Sequence, residues 1–127
     1  MNETVTVAAE AMATRFEIAL HGSPVATLRA GAEEALAEVS RLESMLSLFE
    51  STSEISHINA RAAREPVPVS PEVFILLKQC IDLSKQTKGA FDITIAPLMK
   101  CWRFMNDTGS VPIENEIETA GALVGIE

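Results

Sequence analysis

The first part of the chain alternates apolar and polar positions, which is the pattern of a β-strand with one buried face. Residues 4–8 and residues 14–20 follow this alternation, and Ala11, Met12 and Ala13 interrupt it. The pattern therefore predicts two extended segments, or one strand with a break at Met12.

The strongest periodic segment spans residues 25–49, where apolar residues recur at steps of three and four. Acidic and basic side chains occupy the opposite side, so the segment predicts an amphipathic helix of about six turns with one buried face. The positions assigned to that face are Leu28, Ala32, Ala35, Leu36, Val39, Leu42, Leu46 and Phe49.

A second long helix is expected to begin at Ser70, because a serine cap, Pro71 and Glu72 form a typical helix start. It is expected to run to Lys88 and Gly89, where glycine permits a left-handed ending. The inward positions are Val73, Leu76, Leu77, Cys80, Leu83, Ser84 and Thr87.

Shorter elements complete the prediction. Ser53 is expected to cap a short helix, residues 66–69 to form an edge strand, and residues 112–124 to form a last helix. A turn or two of helix is expected within residues 95–104, with Trp102 as a core anchor. The fold class is therefore α+β, with short, mostly antiparallel strands packed against two long helices and some short ones.

Composition narrows the range of partners. The 127 residues carry a formal net charge of −8, which argues against nucleic acid or an anionic membrane as the main partner. Cys80 and Cys101 do not form a close-spaced metal or redox motif. No signal peptide and no apolar run of membrane-spanning length is present, so the sequence indicates no compartment.

The candidate chemistry lies in residues 87–94, directly after the second long helix. Ala90 is small, Phe91 is a flat apolar ring and Asp92 is a carboxylate. Such a set could receive an aromatic ligand with polar groups at one end. It could also form a plain turn capped by Asp92. Asp92 could cap the short helix that follows, and such capping would not exclude ligand binding.

Four stretches, in order, resemble the FAD:protein FMN transferases of the ApbE family, once described as thiamine-biosynthesis lipoproteins. Residues 12–18 are similar to that family's Met-Gly-Thr-x-Phe strand, and residues 87–94 to its Thr-x-Gly-Ala-Phe-Asp-x-Thr block. Between them in the chain, residues 46–49 and 53–59 resemble its Leu-Ser-x-Tyr and Ser-Glu-(Leu/Ile)-Ser-x-(Leu/Ile)-Asn block. Pro97, Leu98 and Trp102 then follow in the same order.

This resemblance implies that an FAD site is lined by Met12, Phe49, Ala90, Phe91 and Asp92. Phe49 stands where the family usually has tyrosine, so it keeps a ring for stacking and lacks the hydroxyl. Ala13 replaces the usual glycine, so a positive φ at that position would be strained.

The family reaction cleaves FAD and transfers FMN to a threonine of a target flavoprotein, with AMP released. The resemblance implies that the Mg²⁺ ligands and the family's later lysine and histidine motifs lie beyond residue 127. Residues 1–127 are therefore expected to be the N-terminal portion of an ApbE-like domain, with no catalytic or metal-binding residue of their own and with doubtful activity alone. Members of this family usually work in the periplasm or anchored to a membrane.

Two alternatives remain beside the enzyme. The chain could be a non-catalytic flavin-binding module, or a piece that associates with other chains through apolar faces that lack partners. The second alternative includes a homo-oligomer.

Overall fold

A computed structural model describes residues 3–105 and 108–126, and it confirms an α+β fold. The chain divides into two compact units, Met1–Val69 and Ser70–Glu127. The first contains β1 (Glu3–Ala11), β2 (Thr14–Gly22), α1 (Val25–Leu46) and α2 (Glu54–Arg61). The second contains α3 (Pro71–Gln86), α4 (Ala96–Cys101) and α5 (Glu114–Gly121).

The interruption at Met12 is a hairpin turn rather than a break in one strand. β1 and β2 pair antiparallel, and Ala11 opposite Thr14 leaves Met12 and Ala13 as a two-residue loop. Both loop residues have positive φ, 51° for Met12 and 57° for Ala13, as a type I′ turn requires. The strain expected at Ala13 is therefore present, because an alanine occupies a left-handed conformation.

Helix α1 packs against both strands and against α2. Ala32 and Leu36 are its buried residues, and Val5 and Ala11 are buried on β1. Two sequence expectations for α1 are wrong, because Ala35 is exposed and the helix ends at Leu46 rather than at residue 49.

The early end of α1 has a local cause. The Ser47 hydroxyl accepts the backbone N–H groups of Phe49 and Glu50, each at 3.2 Å. A serine that bonds to nearby N–H groups gives the backbone an alternative to the helical pattern. The chain therefore leaves the helix at Ser47, which has an extended ψ of 128°.

Helix α3 starts as the sequence predicts. The Ser70 hydroxyl accepts the N–H of Val73 at 3.3 Å, Pro71 occupies the first turn, and Glu72 places an acid near the positive end of the helix dipole. The short edge strand expected at residues 66–69 does not form, and the sheet that the structure describes contains β1 and β2 only.

The end of α3 differs from the expectation, because the helix stops at Gln86 rather than continuing to residues 88–89. Lys88 donates to the Lys85 carbonyl at 3.1 Å, and Gly89 donates to the Ser84 carbonyl at 2.8 Å. This pair of bonds is a Schellman motif. The left-handed turn is shared by Lys88, with φ 53°, and Gly89, with φ 82°.

Helices α4 and α5 pack together in the second unit. The final helix is shorter than the expected span of residues 112–124, because Ile113 is still extended at φ −76° and ψ 157°. The Glu116 carboxylate accepts the Ile113 N–H at 3.0 Å and so satisfies one donor at this start. Trp102 is half-buried, with its ring centroid 6.2 Å from that of Phe104.

In the part of the chain that the structure describes, no helix combines the length and apolar character needed to cross a membrane.

The hairpin turn generates a stability prediction. Ala13→Gly should raise the free energy of unfolding by about 0.5–1 kcal/mol, since relief of the left-handed strain exceeds the entropy that glycine adds to the unfolded chain. Urea unfolding measures the change. Ala8→Gly, in the exposed part of β1, is the control and should lower stability by about 0.5–1 kcal/mol. Equal losses in both variants would contradict the strain assignment.

Candidate functional site

Met12 lies at the tip of the β1–β2 hairpin, and 44% of its surface is exposed. Its backbone N–H donates to Oε1 of Glu43 at 2.6 Å, which ties the tip to the last turn of α1. The backbone of Met12 is therefore held while its side chain remains accessible.

Phe49 lies in the loop between α1 and α2, outside the helix in which the sequence pattern placed it. Its exposure is 64%, so it is not the last inward residue of α1. A ring this exposed contributes little to the core of its own unit and is available to a ligand or to another part of a larger protein.

Three serines hold the loop that carries Phe49. Ser53 is 1% exposed, and its hydroxyl donates to the Ser47 carbonyl while accepting the Ser56 N–H at 3.0 Å. The Ser56 hydroxyl also donates to the Ser47 carbonyl, at 3.2 Å. Ser53 caps α2 as the sequence predicts, whereas the bonds at Ser47 and Ser56 were not foreseen. The hydroxyls of these serines fix the backbone of the loop through hydrogen bonds to its N–H and carbonyl groups.

Thr87 organises the start of the second candidate segment. Its hydroxyl donates to the Leu83 carbonyl at 2.9 Å and accepts the Phe91 N–H at 3.0 Å. The Ala90 N–H donates to the Thr87 carbonyl at 3.2 Å. The backbone of Ala90 and Phe91 is thus anchored to the end of α3, and the Phe91 ring remains 37% exposed.

Asp92 forms an Asx turn with Thr94. Its Oδ1 accepts the Thr94 N–H at 2.7 Å and the Thr94 hydroxyl at 2.6 Å. The turn held by Asp92 is one alternative that the sequence offered, and the structure confirms it. Asp92 does not cap α4, whose N-cap is Ile95, so the expectation of a helix cap is wrong. Within the described residues Oδ2 of Asp92 has no hydrogen-bond partner, so one carboxylate oxygen is oriented and the other is open.

The hydroxyl of Thr94 has a second role that sequence reasoning missed. It accepts the backbone N–H of Gly125 at 2.8 Å, which links the Asp92 turn to the segment after α5. The similarity of residues 87–94 to a family motif includes Thr94, and this was the available signal. The spacing of two between Asp92 and Thr94 is also typical of an Asx turn.

The five residues expected at a flavin site are distributed over the two units. Met12 and Phe49 belong to Met1–Val69, whereas Ala90, Phe91 and Asp92 are consecutive in Ser70–Glu127. Across residues 3–105 and 108–126, no three His, Cys, Asp or Glu side chains converge as a metal site. Both cysteines are free thiols.

Comparison with known proteins identifies the family to which this chain belongs. A family model described as "ApbE family" matches residues 12–127. An FAD:protein FMN transferase of Vibrio cholerae is 32% identical over 103 residues, which cover 80% of this chain and 30% of the relative. One of Klebsiella pneumoniae is 34% identical over 113 residues, which cover 85% of this chain and 36% of the relative.

Solved structures agree with the sequence matches. The crystal structure of an ApbE protein from Thermotoga maritima superposes with a TM-score of 0.86 at 28% identity, covering 97% of this chain and 40% of that one. The flavin transferase ApbE from Vibrio cholerae superposes with a TM-score of 0.81 at 27% identity, covering 99% of this chain and 42% of that one.

These similarities show that the chain has the fold of the corresponding part of ApbE flavin transferases. The chain belongs to the ApbE family. It spans about a third of the length of the curated relatives and about two fifths of the solved chains.

The Asp92 turn generates a prediction about Thr94. Thr94→Val should lower the free energy of unfolding by about 0.5–1.5 kcal/mol, because it removes the acceptor for the Gly125 N–H and one donor to Asp92. Urea unfolding and hydrogen exchange of the Gly125 amide measure both effects. Thr94→Ser keeps the hydroxyl and is the matched control. Normal Gly125 protection in Thr94→Val would contradict the role given to this hydroxyl.

Proposed function

We propose that this chain is the N-terminal portion of an FAD:protein FMN transferase domain and supplies part of its FAD site. The carrying observation is the Asp92 turn, where Thr94 orients one carboxylate oxygen, the other stays open, and the exposed Phe91 ring lies next in sequence. Membership of the ApbE family and the similarity to FAD:protein FMN transferases support the choice of FAD as the ligand.

Each of the five residues has a physical role in this proposal. The rings of Phe49 and Phe91 offer apolar faces to a flavin or adenine system. Ala90 lets the ligand approach the backbone closely, and Asp92 accepts hydrogen bonds from ligand hydroxyl or amine groups. Met12 lies against the cofactor from the tip of the hairpin, where its thioether adapts to a flat ring.

The reaction in this proposal is a phosphoryl-type transfer. The hydroxyl oxygen of a threonine in the target flavoprotein forms a bond to the phosphorus of the FMN half of FAD. The bond from that phosphorus to the bridging pyrophosphate oxygen breaks, AMP leaves with the bond's electron pair, and the hydroxyl proton passes to a base. Residues of this chain hold the FAD during the transfer, which is a positioning contribution.

Mg²⁺ would neutralise the charge that develops on the phosphates. The described residues form no cluster that fits such an ion, so none of them is assigned to it. In the proposal the metal ligands and the base come from the rest of an ApbE domain. Residues 1–127 alone should therefore bind FAD without transferring FMN.

Titration with FAD tests the site. Asp92→Ala should weaken FAD binding about tenfold or more, since it removes an acceptor that bears a charge. Flavin fluorescence measures the affinity, and Asp82→Ala, an exposed carboxylate on α3, is the matched control for charge. Titrations with and without Mg²⁺ should give the same ratio between variants. Equal affinity of Asp92→Ala and the unchanged chain would refute the assignment.

A specific observation also favours the second candidate, self-association through apolar surface. The chain has 9,345 Å² of accessible surface. Two separate compact bodies of half its 13.7 kDa mass would expose about 8,000 Å² in total. The second unit exposes many large apolar side chains, including Phe74, Ile75, Phe104, Val111, Ile113 and Leu123. Exposed large apolar side chains in this number are typical of surface that a partner covers.

Sedimentation at increasing protein concentration tests whether the chain self-associates. The weight-average mass should rise with concentration in the unchanged chain, because association buries apolar area. Ile75→Gln, at a position 56% exposed on α3, should shift the association toward monomer without changing the net charge. Ser51→Ala, an exposed change in the other unit, is the control. A monomer at every concentration up to the millimolar range would exclude self-association.

A further inference from the structure

We infer that Glu43 is a positioning residue, which holds the hairpin turn so that Met12 presents its side chain to the flavin. The inference rests on the proposed function for the role of Met12, but the bond itself is a feature of the structure. Oε1 of Glu43 accepts the Met12 N–H at 2.6 Å, which is short for an N–H···O bond, and bonds to ionised acceptors are shorter and stronger than neutral ones.

The location of Glu43 is unfavourable for the helix that carries it. Glu43 lies in the last turn of α1, where the helix dipole disfavours a negative charge. No basic residue occupies that turn of the fully described α1. Glu43 is half-buried, and its carboxylate accepts the backbone N–H of Met12, so Glu43 stabilises the hairpin rather than its own helix.

The β1–β2 turn contains residue types that do not favour its conformation, so an interaction from outside the turn is needed to stabilise it. Type I′ turns favour Asn-Gly, Asp-Gly or Gly-Gly because both central residues have positive φ. Here the two residues are Met12 and Ala13, and neither is of a type that adopts this conformation readily. The hydrogen bond from the Met12 amide to Glu43 stabilises the turn and so compensates for its unfavourable residue types.

Loss of the hydrogen bond between Glu43 and Met12 should weaken FAD binding. Without Glu43 the tip would sample other turn geometries, and Met12 would occupy its binding position for only a fraction of the time. Apparent affinity falls in proportion to the fraction of molecules that are competent to bind. The strands themselves keep their pairing, since α1 still packs against both of them.

The experiment uses the whole chain with Glu43→Ala, Glu43→Gln and the control Glu33→Ala, an exposed glutamate on the same helix. Hydrogen exchange of the Met12 amide is the readout that does not depend on flavin. Glu43→Ala should speed this exchange about tenfold and weaken FAD binding about five- to tenfold, whereas Glu43→Gln should rescue part of both because its amide oxygen still accepts. Glu33→Ala should change neither.

Combining Glu43→Ala with Ala13→Gly distinguishes a positioning role of Glu43 from direct contact with FAD. In Ala13→Gly the turn is intrinsically favourable, so the effect of Glu43→Ala on FAD affinity should shrink to about twofold or less. An undiminished effect in that background would mean that Glu43 acts on the ligand itself, and the inference would be wrong.

The two proposals fail in different ways. If FAD binds to none of the proteins, the proposed function fails, and hydrogen exchange of the Met12 amide still decides whether Glu43 holds the turn. Unchanged Met12 exchange in Glu43→Ala would overturn the positioning role whatever happens to FAD.

Discussion

The first unit depends on the packing of α1 across the β1–β2 hairpin. The contact buries small and branched side chains, Ala32 and Leu36 on the helix and Val5 and Ala11 on β1, so the helix can lie close to the sheet. Because one helix covers both strands, the hairpin tip and the last turn of α1 come within hydrogen-bonding distance. The position of Met12 is therefore a result of core packing.

Beyond the core, side chains bonded to backbone groups determine the shape of the loops. Glu43 binds the amide of Met12, Thr87 binds that of Phe91, and Thr94 binds that of Gly125. The serine network around Ser53 does the same for the loop of Phe49. Backbone groups outside regular structure need such partners, and here the partners leave the candidate ligand-binding side chains exposed.

Much of the architecture could be predicted from the pattern of the chain. The alternation in residues 4–20, the start of α3 at Ser70 and the cap at Ser53 were all local signals, and the structure confirms them. Helix ends were less predictable, since α1 stops at Leu46 through the competing bonds of Ser47. The family resemblance supplied Met12, Phe49, Ala90, Phe91 and Asp92 as a site, and their joint role in binding FAD stays a prediction.

The sequence by itself determined the α+β class and the family, because periodicity and motif residues are properties of neighbours along the chain. Only the tertiary structure decided that Met12 and Ala13 form a left-handed turn, that Glu43 holds it from 31 positions away, and that Thr94 links Asp92 to Gly125. Such bonds join residues distant in sequence, and they arise only after packing has brought those residues together. No local pattern encodes the bond from Met12 to Glu43 or the bond from Gly125 to Thr94, although the family motif and the Asp92–Thr94 spacing already pointed to Thr94.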